Sequence, residues 1–129
     1  MYLLNTNICI AIIKENSSAV TQFQQKYQDC CLSTLVLGEL YKDVYCSSRV
    51  EQNLLVLNQF ADQLLKINFD EHAAREFGKI QGELRQIGRP TGQLDTLIAA
   101  VARSRNDSLV TNNTRHFINI QNLQLEKLI

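Results

Sequence analysis

Apolar residues along this chain keep two rhythms, short unbroken runs and longer stripes at steps of three and four, and the two alternate from end to end. Tyr2-Leu3-Leu4 is the first run. It stops at Asn5-Thr6-Asn7, and residues 8–14 resume as a helix behind a polar cap that either asparagine can supply, so a strand turns directly into a helix. A helical stretch near residues 17–27 leads to a second strand, Cys31-Leu32-Ser33-Thr34. Residues 35–46 are predicted helical, with Val36, Leu40 and Val44 on one face. Residues 50–65 repeat apolar positions at Val50, Leu54, Leu57, Ala61 and Leu64. Lys66-Ile67-Asn68-Phe69 is the third strand. Asp70 then caps a long helix striped by Ala73, Phe77, Ile80, Leu84 and Ile87. Gly88-Arg89-Pro90-Thr91-Gly92 breaks it, and Leu94, Leu97, Ile98, Val101 and Ala102 mark the next helix. Ser108-Leu109-Val110-Thr111 is the fourth strand and Leu123-Gln124-Leu125 the candidate fifth.

Strands separated by helices require crossover connections. The predicted class is therefore α/β, a parallel sheet of four to five strands with helices on both faces. No repeat, low-complexity segment or linker interrupts the pattern, so residues 1–129 are read as a single domain, long enough to bury a core without disulfide or metal staples.

Composition narrows the function classes. Thirteen Lys and Arg balance thirteen Asp and Glu, so no global positive field draws the chain to nucleic acid, and any phosphate contact must be local. Seven basic residues against four acids between Arg75 and Arg115 read as solvated surface rather than as a footprint. Cys9, Cys30, Cys31 and Cys46 form no CxxC pair and read as idle thiols in a reducing compartment. No charged segment precedes the N-terminal apolar run, and nothing approaches the roughly 18 apolar residues of a membrane span. The expected location is cytoplasmic, with no membrane partner.

In sheets of this class, sites form where the carboxyl ends of strands meet the following helices. Asn5 ends the first strand. Glu39 lies early in the helix after the second strand, and Asn112 and Asn113 follow the fourth. Asp95 opens the helix that runs antiparallel into the fourth strand, so its end of that helix sits at the same edge. Asp95 and Glu39 border apolar faces, where a half-withdrawn carboxylate needs a partner and a cation is one. Asp43, one turn beyond Glu39, is a weaker candidate. Glu51, Asp62, Glu76 and Glu83 fall on polar helix faces and read as solvated. His72 and His116 make no ligand or triad pattern, and no nucleophile elbow, P-loop or GxGxxG occurs.

Four stretches together carry a resemblance. They are Leu3-Leu4-Asn5-Thr6-Asn7, Ser33-Thr34-Leu35-Val36-Leu37-Gly38-Glu39-Leu40, Gly88-Arg89-Pro90 with Leu94-Asp95-Thr96-Leu97-Ile98-Ala99-Ala100, and Leu109-Val110-Thr111-Asn112-Asn113-Thr114-Arg115-His116-Phe117. In order and separation the chain resembles the PIN-domain ribonucleases and, among them, the VapC toxins of prokaryotic VapBC operons. The resemblance implies a PIN-like fold and a Mg²⁺- or Mn²⁺-dependent endoribonuclease that hydrolyses RNA phosphodiesters as the toxin of a type II toxin–antitoxin system. It assigns Asn5 and Asp95 to the metal and Glu39 to orienting or deprotonating water. The variable fourth position falls between Asn112 and His116, with Asn113 the expected residue, and Asn112 and Arg115 are expected to contact substrate. The implied partners are an RNA substrate, a cognate VapB-type antitoxin and a second copy of the chain.

Two departures matter. The family has Asp where Asn5 stands, and an amide lacks the charge and one acceptor oxygen. Weakened metal binding and impaired activity follow, and removal of an acid is also a way to express a chain that is toxic to its host. Amides and His116 also stand where many relatives carry an acid. The alternative is a catalytically inactive PIN-like module that binds RNA or protein. A receiver-type ligand domain fits worse, because the acids after strand one and the late lysine of receivers are missing.

Overall fold

Parallel strands pair only through long crossovers, and that is what the chain builds. The computed structural model describes residues 1–128. Strand β1 (Tyr2–Leu4) passes through helices α1 (Thr6–Ile13) and α2 (Ser17–Lys26) to β2 (Cys30–Ser33). From there α3 (Thr34–Tyr45) and α4 (Val50–Ala61) lead to β3 (Leu65–Ile67). The hairpin of α5 (Glu71–Ile87) and α6 (Gln93–Arg105) returns to β4 (Ser108–Val110), and a 3-10 turn (Thr114–His116) precedes β5 (Gln124–Glu126).

All strand pairs are parallel, in the order β3-β2-β1-β4-β5. Register sets Leu3 beside Cys31 on one side and beside Leu109 on the other. Leu3, Leu4, Cys31, Leu32, Leu109 and Val110 are buried, as strands covered on both faces must be. Chain progression runs from β1 toward β3, then jumps back across to β4. Right-handed crossovers made in opposite directions place α1–α4 on one face and α5–α6 on the other. The packing agrees, since α1, α3 and α4 contact one another and α5 packs along α6.

Local chemistry explains where elements begin and end. The Val36 and Ala73 amides donate to the side chains of Ser33 and Asp70, which fixes the starts of α3 and α5. Gly88 ends α5 at φ 65°, a left-handed conformation that costs glycine nothing.

Several expectations are displaced. The helix starting at Val50 ends at Ala61 rather than at residue 65, because Leu65 pairs with Cys31 and opens β3. Helix α1 begins at Thr6, so Asn5 caps it and Asn7 lies inside it. Ile87 and Leu94 are exposed although both fall on predicted apolar stripes, since each lies in the turn of its helix nearest the α5–α6 connection. Glu76 and Glu83 are not free surface acids. Both pair with Arg103, whose side chain is only 7% exposed, and so tie α5 to α6. Asp107, which the pattern did not single out, is 4% exposed and pairs with Arg105 and the N-terminal amine. Among the described residues no helix is long and apolar enough to cross a membrane.

Candidate functional site

Strand order reverses between β1 and β4, the kind of switch point beside which open α/β sheets place their sites, and the residues leaving the carboxyl ends of those two strands define the candidate site. Asn5 follows β1 and is 6% exposed. Its Oδ1 accepts from the Thr6 amide at 2.9 Å, and its Nδ2 donates to Thr111 Oγ1 at 3.1 Å. Its main-chain N–H donates to Val110 O, which locks β1 to β4 at the point where both chains turn away. The amide group of Asn5 is thus committed to structure at both ends.

Thr111 is fully buried and gathers this corner. Its hydroxyl oxygen also accepts from Asn7 Nδ2 at 3.3 Å and from the Asn113 amide at 3.1 Å. Asn7 Oδ1 in turn accepts from the Asn112 amide at 3.4 Å. The turn after β4 is therefore stitched to the first turn of α1.

From the same corner, Thr6 Oγ1 donates to Glu39 Oε1 at 2.5 Å. Ser33 fixes the start of α3, which puts Glu39 in its second turn, half-buried and within reach of α1. Behind it lies Cys9, whose thiol is pushed well up, first by burial, then by Cys30 and the Glu39 carboxylate.

Asp95 occupies the first turn of α6, half-buried at 29% side-chain exposure, where the helix dipole favours an anion. Its Oδ2 lies 3.1 Å from His116 Nδ1. His116 sits in the 3-10 turn that follows Thr111 and Asn113, so the loop after β4 touches position 5 at one end and Asp95 at the other. A continuous path runs from Glu39 through Thr6, Asn5 and Thr111 around this loop to His116 and Asp95.

These contacts sort the predicted residues. Asn5, Glu39 and Asp95 come from three elements and border one rim. Asn112 is half-buried on it. Asn113 caps the 3-10 turn and is exposed, as is Arg115. Asp43 is exposed and lines a groove with Ile10, Leu40 and Val56 on the α1–α3–α4 face. The loop residue that reaches Asp95 is His116, not Asn113. Residue patterning gave His116 no ligand or triad partner, whereas the family resemblance placed it within the fourth-position window, with Asn113 as the expected residue.

The donor set can be tested against a metal. Two carboxylates and an amide oxygen are hard ligands, the kind that Mg²⁺ and Mn²⁺ take. Among the described residues no three His, Cys, Asp or Glu side chains converge into a ready-made cage. An ion such as Mg²⁺ keeps several waters and uses one or two protein carboxylates, which Asp95 and Glu39 would supply.

Comparison with known proteins identifies the family. The PIN domain family matches residues 2–123. A tRNA(fMet)-specific endonuclease VapC from Shigella flexneri is 38% identical over 97% of this chain and 96% of its own length. Ribonuclease VapC2 from Haemophilus influenzae is 34% identical over 99% and 98%. In DNA-bound VapBC from Salmonella typhimurium, one solved chain superposes with a TM-score of 0.95 at 34% identity, covering 99% of this chain and 98% of that one. A chain of VapBC2 from Rickettsia felis, bound to a promoter DNA fragment, gives 0.92 at 36% identity, covering 98% and 97%.

Proposed function

Because the chain belongs to the PIN-domain family, among the VapC ribonucleases, we propose that the rim joining Asn5, Glu39 and Asp95 is a divalent-metal site that hydrolyses RNA phosphodiesters. The observation that supports this reading is the path of hydrogen bonds and loop main chain that links Glu39, position 5 and Asp95. Asp95 and the side chain at position 5 would hold the ion, as Mg²⁺ or Mn²⁺. Such an ion supplies charge stabilisation at the phosphodiester and a more acidic water.

The protein's own groups do the rest. Glu39, with Oε1 oriented by the Thr6 hydroxyl, keeps Oε2 as an acceptor for the proton of an attacking water. Arg115 is exposed beside the rim and contacts the substrate phosphate, and Asn112 helps to position the strand. Asn113 stands at the fourth position through its place in the loop.

Position 5 limits the activity. An amide gives one acceptor oxygen, and that oxygen already accepts from the Thr6 amide. An aspartate there keeps this bond, accepts the Thr111 hydroxyl proton and still offers charge and spare lone pairs. Asn5→Asp is therefore expected to raise Mg²⁺-dependent cleavage of RNA by about 10–100-fold, the usual effect of altering groups that hold or orient a metal. Gel analysis of total RNA with and without a chelator checks this. Equal rates for the two proteins would refute the role given to position 5.

One observation favours a second reading, a PIN-like module that binds RNA or protein without cutting it. The two hydrogen bonds of Asn5 make it a well-fitted structural residue. RNA binding without cleavage by Asn5→Asp would support that reading.

The neighbouring solved structures are VapBC complexes. By that likeness the chain acts as the toxin of a type II pair in the cytoplasm, forms a homodimer and is neutralised by a VapB-type antitoxin. An antitoxin arginine suits Glu39 and Asp95, since guanidinium pairs with carboxylates through two parallel hydrogen bonds.

A further inference from the structure

Asp95 has a neighbour to which the metal reading gives no task. His116 Nδ1 lies 3.1 Å from Asp95 Oδ2, the ring is 58% exposed, and the carboxylate is 29% exposed. We propose that His116 supplies a nitrogen donor to the cation held by Asp95, which tilts this site from Mg²⁺ toward Mn²⁺. The inference rests on the rim being a metal site.

Three observations carry it. The first is spacing. Two donors on adjacent corners of an octahedral ion, each with a bond of about 2.1 Å, stand about 3.0 Å apart. The separation of 3.1 Å matches, so the two groups would turn from each other toward a shared ion without having to move apart.

The second is anchoring. Phe117, next in sequence, is fully buried, and the His116 and Phe117 amides donate to the carbonyls of Asn113 and Thr114. The turn is pinned to the core on one side and to Thr111 on the other. The imidazole is therefore delivered to the first turn of α6 by ordered main chain, and both donor groups stay open to solvent ions.

The third is the poverty of the remaining donors. Position 5 brings an amide, Glu39 is held by Thr6, and Asn113 is neutral. Among the described residues, the His116 imidazole is the donor in hydrogen-bond contact with the Asp95 carboxylate. Imidazole suits Mn²⁺ and later first-row ions, whereas Mg²⁺ holds to oxygen and gives up water reluctantly.

The test uses Mn²⁺ and Mg²⁺ as separate probes on the Asn5→Asp protein and on its His116→Gln and His116→Glu derivatives. His116 is largely exposed, so these substitutions leave the fold intact, which circular dichroism checks. Pulsed electron paramagnetic resonance of bound Mn²⁺ is expected to show coupling to an imidazole nitrogen that disappears in His116→Gln. Calorimetry is expected to show Mn²⁺ affinity falling about 10–100-fold in His116→Gln, with His116→Glu restoring the site in favour of Mg²⁺. Mn²⁺ bound without nitrogen coupling overturns the inference and leaves the metal site standing. Coupling that survives in His116→Gln points to His72, the other histidine, and overturns it as well. Failure of both ions to bind any of the proteins removes the metal reading and the inference together.

Discussion

Asn5 carries two duties that pull in different directions. As the cap of α1 it needs an acceptor oxygen, which asparagine and aspartate provide equally well. As a group facing a cation it needs charge, which only aspartate has. Asn5→Ala is expected to lower stability by about 1–2 kcal/mol through loss of the cap and of the bond to Thr111, whereas Asn5→Asp keeps the cap and stays near the parent. Urea unfolding measures the difference, and an unchanged midpoint for Asn5→Ala would refute the structural duty. The candidate residues of this rim were legible one by one, since each stands where a strand or helix begins or ends. The partnerships were not. Asn5 meets Thr111 across 106 positions and Glu39 meets Thr6 across 33, and no periodicity records such pairings. The resemblance placed His116 in the window of the fourth position, but its pairing with Asp95 across 21 positions was hidden for the same reason.

At the scale of elements, order and kind followed from the rhythm of apolar residues. The stripe Val36, Leu40, Val44 is buried as read, and so are Ala73, Ile80 and Leu84. The errors came where one apolar residue fits two patterns. Leu65, read as the last residue of the helix that starts at Val50, instead begins β3, and pairing with β2 decides the matter. Polar helix faces hid the other omission, because Glu76 and Glu83 look solvated until α6 brings Arg103 against them. Arg103→Ala is expected to cost about 1.5–3 kcal/mol, the range for hydrogen bonds to charged groups, and to loosen α5 from α6. Chemical denaturation reads the loss and hydrogen exchange along α5 locates it. A variant as stable as the parent would show the clamp to be ornamental.

Over the whole molecule, the sheet buries three of the four thiols. Burial pushes Cys30 up to about 11, with Asp29 adding to it, and Cys31 up to about 12, with Asp107 adding to it. Both are raised above the ordinary 9.0, so the native state meets no thiol penalty below that value and loses stability as pH climbs from 9 through 11 and 12. At neutral pH a thiol reagent should label Cys46 alone until the protein unfolds. Rapid labelling of all four would contradict the burial.

Asn5 follows β1, Glu39 lies in the helix after β2 and Asp95 opens the helix before β4, and the proposed nuclease reading requires these three to meet at the carboxyl edge of the sheet. Cleavage of total RNA in Mg²⁺ by Asn5→Asp, set beside the same protein with Asp95→Ala added, tests it most directly. Asn5→Asp should cut, and the added Asp95→Ala should abolish cutting while circular dichroism shows the fold retained. Undiminished cleavage by the folded double variant would mean that the chemistry lies elsewhere.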